Sequence, residues 1–147
     1  LIRMYTTVYI VNYKEQYMVS WKTYESVKRA CINNPEYITI HSALELEDDQ
    51  VEEIAQLIIK QHEERSYHKE HVGKGPLKKA ERLRAIVKIR RYADSISTEY
   101  DDYYCLMNDK FMYCLATGRW RIKGRNKWYM SKSPEDFIEN YVLKDNE

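Results

Sequence analysis

The chain has 147 residues and a formal net charge of +1, with 44% hydrophobic residues, 32% charged residues, four glycines and three prolines. This composition excludes collagen-like, linker-like and low-complexity chains, and the length suits one globular domain with a sizeable core. No run approaches the roughly 18 apolar residues of a membrane helix, and the amino end lacks the order of a signal peptide, so we expect a cytoplasmic protein without membrane contact.

The amino-terminal third predicts a β-hairpin followed by a helix. Residues 5–12 and 16–21 are rich in β-branched and aromatic side chains, and the turn between them is expected near Lys14. Thr23 is a suitable N-cap for a helix that ends before Pro35. Residues 37–41 then form a short run rich in β-formers, for which we expect extended structure.

Two helices are predicted in the centre of the chain. The first spans residues 48–67, because its apolar positions recur at helical spacing. The second spans residues 77–93, after a break rich in glycine at 71–76. In a helical projection of the second helix, Arg84, Lys88 and Arg91 form one stripe opposite an apolar arc, so we expect the stripe to face outward.

The carboxyl-terminal third predicts a second hairpin and a closing helix. After an acidic connection at 94–102, residues 103–107 and 110–116 alternate as strands around a turn at Asn108–Asp109. One or two further short strands are expected around Gly124, and Ser133 followed by Pro134 is typical of a helix start. The sequence therefore predicts a single α+β domain over residues 1–147.

Charge is segregated along the chain although the net charge is small. Residues 45–53 carry six acids and no base, residues 74–91 carry eight bases and one acid, and residues 119–132 carry six bases and no acid. The last segment also holds Trp120, Trp128 and Tyr129. Cations for phosphates and flat rings for bases are what nucleic-acid binding requires.

The leading hypothesis is therefore a small, non-enzymatic protein that binds DNA or RNA. The order of long helix, turn, basic helix and hairpin also resembles the outline of a winged helix-turn-helix, whose second helix enters the major groove. The predicted binding residues are Lys79, Arg84, Lys88, Arg91, Arg119, Arg121, Lys123, Arg125, Lys127 and Trp128.

Two other interpretations stay open. The same charged, tyrosine-rich surface, with 14 tyrosines in the chain, suits an accessory or inhibitor protein of the kind carried by viruses and mobile elements, which docks on a larger partner. Such partners are often themselves enzymes that process nucleic acid. The basic segments are also compatible with a solvated face balanced by the acids at 45–53. The sequence leaves the oligomeric state open.

A third function follows from a resemblance at the amino end. Residues 7–11 and 17–20, followed by a basic pair on a predicted helix, resemble the start of a GIY-YIG nuclease, a family that hydrolyses phosphodiesters with a divalent metal. Thr7 and Val19 stand where that family has its signature glycines. By position, the resemblance implies as catalytic residues Tyr9, Tyr17, Arg29 and either Glu52 or Glu53.

Histidine and cysteine positions predict neither a metal site nor a cofactor. His62, His68 and His71 lie near glutamates, but their spacing matches no zinc motif. Beyond the nuclease resemblance, no catalytic residue is predicted. The three cysteines are an odd number without close pairing, so we expect free thiols, with a bridge between Cys105 and Cys114 across the second hairpin as the alternative.

Overall fold

The computed structural model describes residues 5–12, 15–20, 35–67 and 73–146. It combines helices with antiparallel sheets, which confirms the predicted α+β class. The chain divides into two compact units, Leu1–Leu83 and Arg84–Glu147. No helix in the described ranges has both the length and the apolar composition needed to cross a membrane.

The amino-terminal hairpin is present as predicted. Strands β1 (Tyr5–Asn12) and β2 (Glu15–Ser20) pair antiparallel, and β2 begins one residue earlier than expected because Glu15 pairs with Asn12. The register shifts between Thr6 and Ile10, so the two strands are not regular throughout. The helix predicted after Thr23 lies outside the described residues.

The extended structure predicted at residues 37–41 is wrong. Pro35–Tyr37 forms a turn of 3-10 helix, and helix α1 (Ile40–Leu44) follows. The side chain of Thr39 accepts a hydrogen bond from Ser42 N at 3.1 Å, which satisfies a free amide of the first turn. Ile38 and Ile40 are buried core residues before and at the start of this short helix, and the half-buried Thr39 between them is its N-cap.

The two central helices are confirmed. Helix α2 (Asp48–Tyr67) has the predicted bounds and buries Val51, Ile54, Ala55 and Ile58 on one stripe. Helix α3 (Gly75–Arg90) begins and ends slightly earlier than predicted. Its apolar arc is buried at Leu83, Ile86 and Ile89, whereas Ala93 is exposed in the turn after the helix.

The carboxyl-terminal unit contains a five-stranded antiparallel sheet in which neighbouring strands follow one another along the chain. The strands are β3 (Thr98–Tyr100), β4 (Tyr104–Met107), β5 (Phe111–Cys114), β6 (Arg119–Ile122) and β7 (Tyr129–Met130). The predicted turn is confirmed at Asn108 and Asp109, both with φ 52°. Strand β3 lies in the predicted acidic connection. It was not predicted, because a strand of three residues gives too little alternation to detect.

One face of this sheet is the core of the unit. Tyr113 and Trp120 lie on this face, and Phe137 of the closing helix α4 (Pro134–Phe137) packs on them with ring centroids 5.1 and 5.0 Å away. The predicted start of α4 is confirmed, because Ser133 Oγ accepts a hydrogen bond from Asp136 N at 3.0 Å. The alternating residues of β4 and β5 on the opposite face are partly exposed. We call this side of the sheet the open face.

Candidate nucleic-acid interface

The open face of the carboxyl-terminal sheet is ordered by a row of paired residues. Arg121 lies opposite Met112, Met112 opposite Leu106, and Leu106 opposite Glu99. Because neighbouring strands lie about 4.8 Å apart, this row extends for about 14 Å from β6 to β3. A basic side chain therefore occupies one end of the row and an acidic one the other.

Two arginines and a tryptophan meet at the basic end. Arg119 and Arg121 share a face because they are two residues apart in β6. The guanidinium carbon of each lies 5.0 Å from the ring of Trp128, within the range of a cation–π contact. The ring of Tyr104 lies beside them, with its centroid 6.4 Å from that of Trp128. We call Arg119, Arg121 and Trp128 the arginine–tryptophan cluster.

The two guanidinium groups of this cluster contact the Trp128 ring but are not paired with a carboxylate of any described residue. Neither Arg119 nor Arg121 forms an ion pair with a carboxylate in the described part of the chain, and Arg121 Nε is buried without a hydrogen-bond partner. A guanidinium presents five N–H donors in a planar fork that matches phosphate. Contact with the indole holds the two groups in place while leaving donors for an anion.

The neighbouring basic residues are arranged differently. Lys123 Nζ donates a hydrogen bond to Asp109 Oδ1 at 2.9 Å, and this bond to a carboxylate raises the pKa of the lysine. Lys127 Nζ lies 5.2 Å from the ring of Tyr129, and Arg125 is exposed in the loop between β6 and β7. Of the residues predicted in this segment, Arg119, Arg121 and Trp128 thus contact one another through the Trp128 ring, and Lys123 is paired with Asp109.

The predicted binding residues on and just after α3 differ in their contacts and exposure. Lys79 Nζ donates a hydrogen bond to the carbonyl of Ile38 at 2.8 Å, so its ammonium serves the packing of the amino-terminal unit. Arg84 and Lys88 are half-buried. Arg91 is exposed and directly follows the end of the helix, so all three residues of the predicted stripe are at least partly exposed.

Comparison with known proteins gives no family. No family model matches the sequence, and neither the curated proteins nor the solved structures include a significant match.

A cleft of about 310 Å³ lies at the acidic end of the open face. It is lined by Glu99, Tyr100, Asp101, Tyr104, Leu106, Met112 and Lys123. The sequence did not predict this cleft, because its residues come from three strands, the loop after β3 and the turn after β6. The one available signal was the group of three acids and three tyrosines at 99–104.

The buried thiol and phenols of this unit are not reactive groups. Burial raises the pKa of Cys105 to about 12, so this thiol stays protonated at neutral pH. Burial also raises the pKa of Tyr113 to about 12, although a hydrogen bond with Ser131 opposes that rise. Each group therefore behaves as a neutral core residue.

The two described cysteines are free, and the alternative of a bridge between them is wrong. Cys105 lies opposite Tyr113, whereas Cys114 lies opposite Tyr104, so the thiols are on opposite faces of the hairpin. Cys31 lies outside the described residues.

The histidine positions and the nuclease resemblance each involve residues inside and outside the described ranges. Among the described residues, no group of three or more histidine, cysteine or acidic side chains could hold a metal ion. His68 and His71 lie outside this part of the chain, as does Arg29 of the nuclease resemblance. Glu52 and Glu53 are half-buried on α2.

Proposed function

We propose that the open face of the carboxyl-terminal sheet binds single-stranded nucleic acid without catalysing a reaction on it. The observation that carries the proposal is the arginine–tryptophan cluster, in which two guanidinium carbons each lie 5.0 Å from the Trp128 ring. The cations supply phosphate contacts and the ring supplies a surface on which a base stacks, a combination typical of single-strand binding.

Single strands suit this surface better than a duplex. A base stacks on a protein ring only when it is not stacked inside a helix, and an open sheet face presents its side chains to several unstacked bases at once. Tyr104 beside Trp128 provides a second ring on the same face. The proposed binding surface is therefore the sheet alone, whereas the sequence predicted binding residues on both the basic helix and the strands.

A second candidate function is docking on a protein partner. It is favoured by exposed apolar side chains on β7, where Tyr129 is 40% and Met130 66% exposed, and by Tyr141, which is 47% exposed in the helical segment Ile138–Val142 after α4. Tyr129 and Tyr141 both lie within 5 Å of the ring of Trp120, at 4.6 and 4.9 Å between centroids. Exposed aromatic rings of this kind are enriched at protein interfaces.

Fluorescence anisotropy with labelled 12-mers of thymidine or uridine, and with a duplex of the same length, tests the proposal. We expect binding of both single strands, weaker binding of the duplex, and a loss of about tenfold or more in affinity for Trp128→Leu, since stacking contributes about 1–3 kcal/mol per base. Lys60→Gln, at an exposed position of α2, is the control and should bind like the unaltered chain.

Absence of binding to either single strand would overturn the proposal. Equal affinity in Trp128→Leu and in the unaltered chain would also contradict it. In either case the exposed rings near Trp120 become the surface to test, by substituting Tyr141 and measuring retention of partner proteins.

A further inference from the structure

The cleft at the acidic end of the open face has the size and lining of a site for one planar base. Its volume of about 310 Å³ is at the lower end of the range for small-molecule sites. Leu106 and Met112 supply apolar surface, and Tyr104 supplies an aromatic ring. The lining therefore suits a group that is partly apolar and can stack on an aromatic ring.

The cleft lies on the same face as the arginine–tryptophan cluster. Glu99 lines the cleft and is three strands from Arg121 in the same cross-strand row, at about 14 Å. Tyr104 connects the two sites, because it lines the cleft and also lies beside Trp128. A strand whose phosphates bind Arg119 and Arg121 can reach the cleft within a few nucleotides.

The polar groups of the cleft determine which hydrogen-bonding pattern a ligand must present. Asp101 Oδ1 already accepts hydrogen bonds from the backbone amides of Tyr103 and Tyr104, at 2.7 and 2.6 Å. The carboxylate of Glu99 is exposed and makes no side-chain hydrogen bond in the described ranges, and it interacts electrostatically with Lys123, another residue of the cleft lining, so its oxygens can accept hydrogen bonds from a ligand. An ionised carboxylate only accepts hydrogen bonds, so its preferred ligand presents two adjacent donors.

Guanine is the base that has such an edge. Its N1–H and N2–H lie side by side on the Watson–Crick edge, whereas adenine and cytosine place an acceptor next to their amino group, and uracil and thymine flank one N–H with two carbonyls. We infer that the cleft holds a guanine base of the bound strand, with Glu99 accepting from N1–H and N2–H. This inference rests on the proposed function and adds base selectivity to it.

The test compares thymidine 12-mers that carry one central guanine, hypoxanthine or adenine. Hypoxanthine keeps N1–H but lacks the N2 amino group. We expect the guanine oligonucleotide to bind about tenfold tighter than all-thymidine, as one bidentate contact allows, and the hypoxanthine and adenine oligonucleotides to lose most of that preference. Anisotropy gives each affinity.

Glu99→Gln should abolish the guanine preference, since the amide replaces one acceptor with a donor. The readout is the ratio of guanine to thymidine affinity, which cancels any general effect of removing a negative charge. Glu81→Gln, an equivalent change at an exposed position outside the cleft, should keep the ratio. Circular dichroism confirms that both variants fold.

The outcomes separate the two claims. Binding of all oligonucleotides with equal affinity, or a guanine preference that survives in Glu99→Gln, overturns the inference and leaves the proposed function standing. No binding to any oligonucleotide overturns both. Binding of an arginine-rich peptide that depends on Glu99, without guanine preference, would assign the cleft to a protein partner instead.

Discussion

Ser131 donates two hydrogen bonds to one carbonyl oxygen, that of Gly118, from its backbone N at 3.0 Å and from Oγ at 2.7 Å. Gly118 precedes β6 and Ser131 follows β7, so these bonds close the end of the strand pair in which Arg119 lies opposite Met130. They lie at the end of the pair away from the loop that carries Trp128, and they hold β7 beside β6. The candidate interface therefore depends on a contact that involves no charged group.

Gly118→Ala should destabilise the protein by about 2–3 kcal/mol. Gly118 has φ +80°, which is unfavourable for alanine by about 1–2 kcal/mol, and its added Cβ would lie 3.1 Å from Ser131 O and Oγ. Gly124→Ala is the matched control, because it has φ +83° but nothing within 4 Å, and it should cost about 1 kcal/mol. Urea denaturation measures both, and equal midpoints would contradict the expectation.

Ser133→Ala should cost about 1 kcal/mol of stability, the usual effect of removing an N-cap. The hydrogen bond from Asp136 N to Ser133 Oγ is 3.0 Å long and satisfies the first turn of α4. Ser133→Asp keeps an acceptor at this position and should retain most of the stability. A thermal midpoint unchanged by Ser133→Ala would show that the cap does not stabilise the closing helix.

The salt dependence of binding should identify the basic residues that contact phosphate. For a single strand, log K changes with log salt by about 0.7 per phosphate contact, so Arg119→Gln with Arg121→Gln should reduce the slope by about 1.4. Arg84, Lys88 and Arg91 changed together to Gln should leave it unaltered, because they lie on or just after α3 and not on the open face of the sheet. A loss of about two units in the helix variant instead would place the interface on α3.

Thiol reactivity should differ between the two described cysteines. Burial raises the pKa of Cys105 to about 12, whereas Cys114 is only half-buried on the open face. At pH 8, alkylation followed by peptide mass spectrometry should modify Cys114 much faster than Cys105. In denaturant all three cysteines should react, and fewer than three thiols would indicate a bridge that involves Cys31.

Stability should fall at alkaline pH through Tyr113. Its pKa rises from 10.0 to about 12 in the folded protein, so the folded state favours the protonated phenol. This contribution is complete below pH 10 and is lost as the pH rises from 10 to 12. Tyr113→Phe retains the ring that stacks on Phe137 and should flatten this part of the stability profile, measured by urea denaturation between pH 9 and 11.

Local signals predicted most of the fold. Ser133 with Pro134, Asn108 with Asp109, and the apolar stripe of α2 each act within a few residues of chain, so the sequence pattern located them. Thr39 was misread because its β-branched neighbours favour strand formation, while the decisive hydrogen bond is the one it accepts from Ser42 N. β3 was missed because a three-residue strand is defined by its partner.

The candidate site was only half predictable. Arg119, Arg121 and Trp128 were identified from composition, because basic and aromatic residues alternate in one segment. Their convergence on one ring depends on the pairing of β6 with β7, which no local pattern encodes. The acids and tyrosines at 99–104 did not indicate which of them face the cleft, since the position of Glu99 opposite Leu106 is a property of the register between two strands.

Within single strands of the sheet, core residues alternate with residues of the proposed binding face. In β6, Trp120 belongs to the core, whereas Arg119 and Arg121 on either side of it point to the open face. A saturation library of this strand should therefore give two profiles with a period of two, one lowering protein abundance and the other lowering binding alone. Residues of the open face are thus free to diversify toward a new ligand while the scaffold stays intact.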